Sequence, residues 1–249
     1  MSDLIVSDDG PIRTLRMNRP AKKNALTLEM YDAMAAAVEE SGTNEAVRCL
    51  LIAGGPGSFC AGNDISDFMK AADDRGALSP PTLRFLYSLV RCEKPLVAAV
   101  AGVAIGVGAT MLLHCDYVVA AADARFSTPF VALGLTPEAA SSLIAPRLMG
   151  HANAFSLLVM GRPLDAAEAK ALGIVNTVVA AADVEAEAMK AAREISDLPP
   201  EGMLASRRLL RGTREEIIAR IDEEAQEFKV RLKSPEARNA FNGFLARKR

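Results

Sequence analysis

From Leu96 to Leu113 the chain runs for 18 residues without a charged side chain, and no other stretch limits the possible folds as much. Its length sits at the lower edge of what crosses a bilayer. Its glycines, Gly102, Gly106 and Gly108, suit a strand, a turn and a close-packed helix start better than a lipid-facing rod. No second apolar run exists to pair with it, so the stretch is expected to be buried core and no membrane partner is expected. At 249 residues with 50% apolar content, the chain can bury such a segment inside one large domain.

The surroundings alternate between strand and helix patterns. Leu4 to Val6 and Ile12 to Met17 read as strands flanking the turn Asp8-Asp9-Gly10-Pro11, before a break at Asn18-Arg19-Pro20. Thr27 can cap a helix in which Met30, Met34, Ala37 and Val38 recur at helical spacing up to Gly42. Val47 to Ala53 is an apolar strand running into Gly54-Gly55-Pro56-Gly57. Ile65 to Ala72 reads as a short helix and Asp73 to Pro81 as a surface loop. Leu83 to Val90 is helical, Leu96 to Val100 a strand, Gly106 to Leu113 a helix and Tyr117 to Ala120 a strand. This alternation predicts an α/β fold. Beyond Thr136-Pro137 the pattern is mainly helical, with a short strand near Ile174 to Val179, and the last 50 residues read as charged amphipathic helices. Leu209, Ile217, Ile221 and Phe228 recur there at spacings that ask for a partner surface.

Charge and composition exclude several functions. A net charge of -2, a pI near 5.8 and 5% aromatic residues offer neither the basic footprint nor the stacking platforms of a nucleic-acid binder. Cys49, Cys60, Cys92 and Cys115 form no C-x-x-C pair, and the opening residues lack the apolar core of a signal peptide, so a cytoplasmic location is expected. His114 and His151 are not at metal-ligand spacing, His114 reads as a core histidine, and no G-x-S-x-G elbow surrounds Ser141 or Ser142. No metal and no bound redox cofactor is predicted.

Three ordered segments carry a family resemblance: Asn18-Arg19-Pro20 with Lys23-Asn24-Ala25-Leu26, then Ser58 through Ile65, then Val100 through Gly102, Gly106 and Gly108 to Cys115-Asp116. In order and spacing they resemble the crotonase superfamily of enoyl-CoA hydratases and isomerases, and the likeness continues through Phe126 to Gly150 and Gly161-Arg162-Pro163-Leu164. The resemblance implies an α/β spiral of ββα turns with two sheets nearly at right angles. It puts that core at residues 1–198 and an oligomerising helical region at residues 199–249, assembled as a homotrimer or hexamer. It also implies an acyl-CoA thioester as substrate, so coenzyme A arrives with the substrate and no separate cofactor is expected.

Enolate formation from a thioester places negative charge on the thioester oxygen, which Gly-rich loops and a helix start can meet with backbone N–H groups. By the resemblance these donors are the amides of Asn63 and Val107. Taken alone, Gly106-Val107-Gly108 reads as a helix-packing feature, and Asp64 is expected to hold its loop. The resemblance puts CoA contacts largely on the backbone of the Lys22 to Leu26 turn and the Phe59 to Asn63 loop, at Lys22, Asn24, Ala25, Leu26, Cys60 and Ala61, while Lys22 and Lys23, like Arg247-Lys248-Arg249, read equally as solvated charges. Phe85, Phe126 and Phe130 either line an acyl pocket or are ordinary core.

Hydration in this family uses two glutamates, and the resemblance puts Thr110 and Phe130 at those places, neither of which is a carboxylate base. Glu138, in Leu135-Thr136-Pro137-Glu138-Ala139-Ala140-Ser141-Ser142, instead resembles the single acid/base of peroxisomal-type Δ3,Δ2-enoyl-CoA isomerases. The same residues also read as a helix start with Thr136 as cap and Glu138 in the first turn, a role compatible with chemistry. The expected reaction is therefore the shift of a 3-enoyl-CoA double bond to the 2-position. Other enolate chemistry, including hydration by a nonstandard base, and CoA binding without turnover are the alternatives.

Overall fold

The structure is a computed structural model that describes residues 2–55, 57–64 and 79–246, with side chains placed up to Gly243. Strands β1 (Leu4–Asp9) and β2 (Ile12–Met17) form an antiparallel hairpin with Leu4 opposite Met17 and Asp9 opposite Ile12. β1 runs three residues beyond the expected Val6. Asp8 lies directly opposite Arg13, and its two carboxylate oxygens accept from Arg13 Nε at 2.8 Å and Nη2 at 2.9 Å, so a charged cross-strand pair extends the ladder.

Four parallel strands follow on β2, namely β3 (Cys49–Ala53), β4 (Leu96–Val100), β6 (Tyr117–Ala121) and β9 (Thr177–Val179), giving the sheet order β1-β2-β3-β4-β6-β9. Every residue of β3 and β4 is buried, which is why they read as unbroken apolar runs instead of alternating ones. A second, three-stranded sheet is built from β5 (Val103–Ile105), β7 (Arg125–Ser127) and β8 (Leu164–Asp165). These strands are too short to have left a periodic signal in the sequence.

Helix α1 (Leu28–Thr43) begins as expected at Thr27, whose hydroxyl accepts from the Met30 N–H at 3.2 Å. It packs against α2 (Pro80–Arg91), which Ser79 caps, so the loop expected to reach Pro81 ends earlier. The helix expected over Ile65 to Ala72, most of that loop, and the Arg247-Lys248-Arg249 cluster lie outside the described residues. The uncharged stretch from Leu96 divides into β4, β5, the short helix α3 (Val107–Thr110) and the start of a 3₁₀ turn (Met111–His114). No helix of the described residues is long and apolar enough to cross a membrane.

After α3 come α4 (Ser141–Met149), α5 (His151–Leu158), α6 (Ala166–Ala171) and α7 (Val184–Asp197), the last packed on β3, β4 and β6. The chain ends in α8 (Pro200–Arg211), α9 (Arg214–Leu232) and α10 (Pro235–Ala246). Asp116 joins this end to the large sheet: its carboxylate accepts from the Leu96 N–H and Arg207 Nε at 2.8 Å each and from Arg211 Nε at 3.2 Å. The expectation that Leu209, Ile217, Ile221 and Phe228 share one partner surface needs correction. Ile221 and Phe228 are 0% and 1% exposed and belong to the protomer's own core, whereas Leu209 and its neighbour Leu210 point outward at 82% and 88%. Spacing alone could not show that α9 already has a partner inside the chain.

Candidate active site

The first segment of the site is a 3₁₀ turn (Pro20–Lys22) that leaves Lys23 and Asn24 in the left-handed region, at φ 50° and 56°. Asparagine tolerates that conformation and carries both a donor and an acceptor. Asn24 Oδ1 accepts from the Arg19 N–H at 2.8 Å, and its Nδ2 donates to the carbonyls of Ser58 at 2.7 Å and Phe59 at 3.2 Å. Arg19 Nη1 in turn donates to the Ala25 carbonyl at 3.0 Å and to Asp64 Oδ2 at 2.6 Å. Asp64 thus has an ion pair that ties its loop to the first segment.

Close backbone approach then brings the second and third segments together. A Cβ on Gly108 would lie 2.6 Å from the Cys60 carbonyl oxygen, and Gly62, at φ +92°, faces the Ile105 carbonyl in the same way at 3.0 Å. Neither position accepts a larger residue. Leu26 pairs with this loop by donating to the Gly62 carbonyl at 2.8 Å and accepting from the Asp64 N–H at 2.9 Å. In such a parallel bridge the intervening Asn63 turns its own N–H and carbonyl to the other side of the chain. Val107 is the first residue of α3, behind Gly106 at φ 57° and ψ -122°, so its N–H is one of the helix's free donors. Neither amide has an acceptor among the described residues. The Asn63 side chain is engaged elsewhere, its Oδ1 accepting from the buried Tyr31 hydroxyl at 2.5 Å.

Glu138 is buried at 2% exposure and accepts a hydrogen bond from the Thr110 hydroxyl, on the same short helix that begins at Val107. The expected helix start at Thr136 is not there. Residues 135–138 have no regular structure, Ala139 and Ala140 adopt φ 62° and 54°, and α4 begins only at Ser141. Glu138 is therefore not a first-turn capping residue. Glu224, which sequence reasoning missed, caps α4 from 84 residues away, accepting from the Ala140 N–H at 2.6 Å, the Ser142 N–H at 2.9 Å and the Ser142 hydroxyl at 2.5 Å. Only an acidic residue inside an otherwise apolar helix face could have hinted at it.

Burial raises the Glu138 carboxyl to about 7, with the Thr110 hydrogen bond opposing and the nearby Glu224 charge adding to the rise. A carboxyl near 4.5 in the unfolded chain and about 7 in the folded one makes the native state bind more protons between those values, so its stabilising contribution is present below pH 4.5 and lost as pH rises through 7. Glu138→Gln removes that titration. Urea unfolding should show the variant gaining about 3 kcal/mol on the native protein between pH 5 and pH 8. A constant difference across that range would mean that the carboxyl titrates at its ordinary value.

Of the residues expected to touch CoA, Lys22 is exposed and Ala25 and Ala61 half-buried, so these three can meet a ligand. Asn24, Leu26 and Cys60 are at most 1% exposed, and the Asn24 side chain and the backbones of Leu26 and Cys60 take part in the segment-to-segment bonds. They help hold the segments of the site together. Phe130 lies beside the Gly106 turn, 3.9 Å from where a Cβ there would be. Phe85 packs on Tyr31 with ring centroids 5.7 Å apart, while Phe126 is wholly buried in β7. His114 is a satisfied core histidine, as expected, with Nε2 2.8 Å from the Ala139 carbonyl.

Comparison with known proteins agrees with this geometry. The family model for enoyl-CoA hydratase/isomerase matches residues 8–249. Rat enoyl-CoA delta isomerase 2 (Rattus norvegicus) is 36% identical over 98% of this chain and 64% of its own length, so the chain spans a little under two thirds of that relative. The 1,2-epoxyphenylacetyl-CoA isomerase of Escherichia coli (strain K12) is 31% identical over 95% of this chain and 93% of its own. Among solved structures, Pseudomonas aeruginosa OdaA superposes with a TM-score of 0.93 at 42% identity, covering 98% of this chain and 99% of that one. An enoyl-CoA hydratase/isomerase from Pseudoalteromonas atlantica T6c gives 0.92 at 40% identity, covering 99% and 98%. With its two sheets, its C-terminal helices and this match over nearly its whole length, the chain belongs to the enoyl-CoA hydratase/isomerase family of the crotonase superfamily.

Proposed function

We propose that the chain moves the double bond of a 3-enoyl-CoA to the 2-position, with Glu138 as the single acid/base. The observation that carries this reading is one buried carboxyl, raised to about 7, hydrogen-bonded to the helix that begins with a free N–H at Val107. A group poised near neutrality can both take and return a proton. Glu138 as carboxylate removes the C2 proton, the electron pair delocalises over the C3–C4 double bond and the thioester oxygen, and the amides of Asn63 and Val107 meet the charge on that oxygen. Returning the proton to C4 leaves a C2–C3 double bond, with no water consumed.

The residues around Glu138 favour this reaction over hydration. Thr110 is a neutral hydroxyl donating to Glu138, Phe130 is apolar, and Glu224, the carboxylate that acts on Glu138 among the described residues, is taken up by the start of α4. That two curated relatives are CoA-thioester isomerases supports isomerisation as well. On this reading Lys22, Ala25 and Ala61 border the CoA moiety and Phe130 the acyl group, and coenzyme A is part of the substrate, not a cofactor. Assembly as a homotrimer or hexamer is part of the same proposal, with exposed Leu209 and Leu210 as apolar surface. Supplying the purified protein with a 3-enoyl-CoA and, separately, a 2-enoyl-CoA tests it. Conversion of the first without hydration of the second is the expected result, and hydration of the 2-enoyl-CoA at a comparable rate would overturn it.

A further inference from the structure

We propose that Glu224 is a positioning residue for Glu138, so that the C-terminal helix α9 sets the place of the acid/base. This rests on the reading of Glu138 given above. The two residues after Glu138 are alanines in the left-handed region, at φ 62° and 54°, a conformation that an L-residue with a Cβ opposes. Something outside the segment must hold it there.

The peptide unit joining Ala139 and Ala140 is gripped at both ends. Its carbonyl lies 2.8 Å from His114 Nε2, and its N–H donates to Glu224 Oε2 at 2.6 Å. Burial lowers the His114 pKa to about 4, so its imidazole is neutral at working pH and the nitrogen facing the carbonyl carries the proton. Glu224 is 6% exposed, and although burial raises its pKa, the three donors it accepts from and nearby Arg220 favour the ionised carboxylate. The orientation of this peptide fixes the chain one residue after Glu138, and hence where the Glu138 carboxyl can reach. α10 packs closely on the turn that leads into this segment, since a Cβ on Gly134 would lie 2.7 Å from the Ala237 nitrogen.

Charge adds a second effect. Among the described residues, the other titratable groups around the pair are Tyr31 from α1, Cys60 from the loop before Asn63, His114, and Arg220 one turn earlier on α9. Arg147 of α4 is engaged with Glu216 and Tyr87 of α2 with Asp222. Burial is the main cause of the rise at Glu138, and since burial also holds Tyr31 and Cys60 protonated and His114 is neutral, Glu224 is the charge among the described residues that adds to it.

The test compares Glu224→Gln, Glu224→Asp and Glu138→Gln in the full chain, reading kcat, KM and the pH profile of kcat/KM with a 3-enoyl-CoA. Glu224→Gln turns an amide donor towards the N–H groups it should accept from and removes the charge. It should lower kcat by about tenfold or more with KM within about threefold, and shift the acid limb about half a pH unit lower. Glu224→Asp keeps the charge but shortens the reach, so kcat should fall while the limb stays in place. If Glu224→Gln does not fold, the Asp variant carries the test through that split between kcat and pH midpoint. Unchanged kcat and an unmoved limb in the folded Glu224 variants, with Glu138→Gln inactive, would overturn the proposal and leave Glu224 a helix cap. An active Glu138→Gln would instead overturn the acid/base reading on which the proposal depends.

Discussion

Glu138→Gln is expected to lower isomerase turnover by about 10² to 10⁴ while changing CoA affinity little, the range for a lost general base. The substitution keeps the shape of the side chain and an oxygen that can accept from the Thr110 hydroxyl, so the buried contact survives and only the proton-accepting function is removed. Glu138 holds no helix end, because α4 starts three residues later and is capped by Glu224, so a loss of rate cannot be assigned to an unravelled helix. In the native enzyme the carboxylate is the active form and burial raises it to about 7, so kcat/KM should climb with pH through a midpoint near that value. The variant's residual activity should lack this limb. A loss smaller than about tenfold would remove Glu138 from the chemistry.

The pieces of this site differed in how far the sequence disclosed them, and the difference follows how local each cause is. Thr27 capping α1, the buried runs of β3 and β4 and the hairpin of β1 and β2 were legible because propensity, periodicity and turn chemistry agreed over neighbouring residues. The small sheet was not, since its strands are two or three residues long and are held by partners far away in sequence. Thr136-Pro137-Glu138 misled for a related reason. It has every local mark of a helix start, yet Ala139 and Ala140 turn left-handed because His114 and Glu224 hold them there. Asn24 was expected at the ligand because the resemblance marks its segment, and the structure shows why that segment is constrained: one side chain bonds to three backbone groups in two loops. Ile221 and Phe228 likewise have an apolar stripe whose partner is this chain's own core.

Val107→Pro is expected to lower kcat by about 10² to 10³, the loss associated with one oxyanion donor, while Asn63→Ala keeps most of the activity. Proline at the first helical position removes the N–H without breaking an intrahelical bond, and its fixed φ suits that position. The preceding residue, Gly106 at φ 57° and ψ -122°, already has a conformation that a side chain would oppose. Proline therefore deletes the donor with little other damage to α3. Asn63→Ala does the reverse: the backbone N–H stays, and what is lost is the Oδ1 acceptor for the Tyr31 hydroxyl. A buried phenol without a partner costs about 1–3 kcal/mol, so this variant should unfold at lower urea concentration yet turn over substrate within a few fold of the native rate. The two variants thus separate stability from catalysis in opposite directions, one firm and slow, the other softer and active. Equal and large losses of kcat in both, with folding and CoA binding intact, would show that the Asn63 side chain itself takes part in the chemistry and that the backbone of this loop is not the donor.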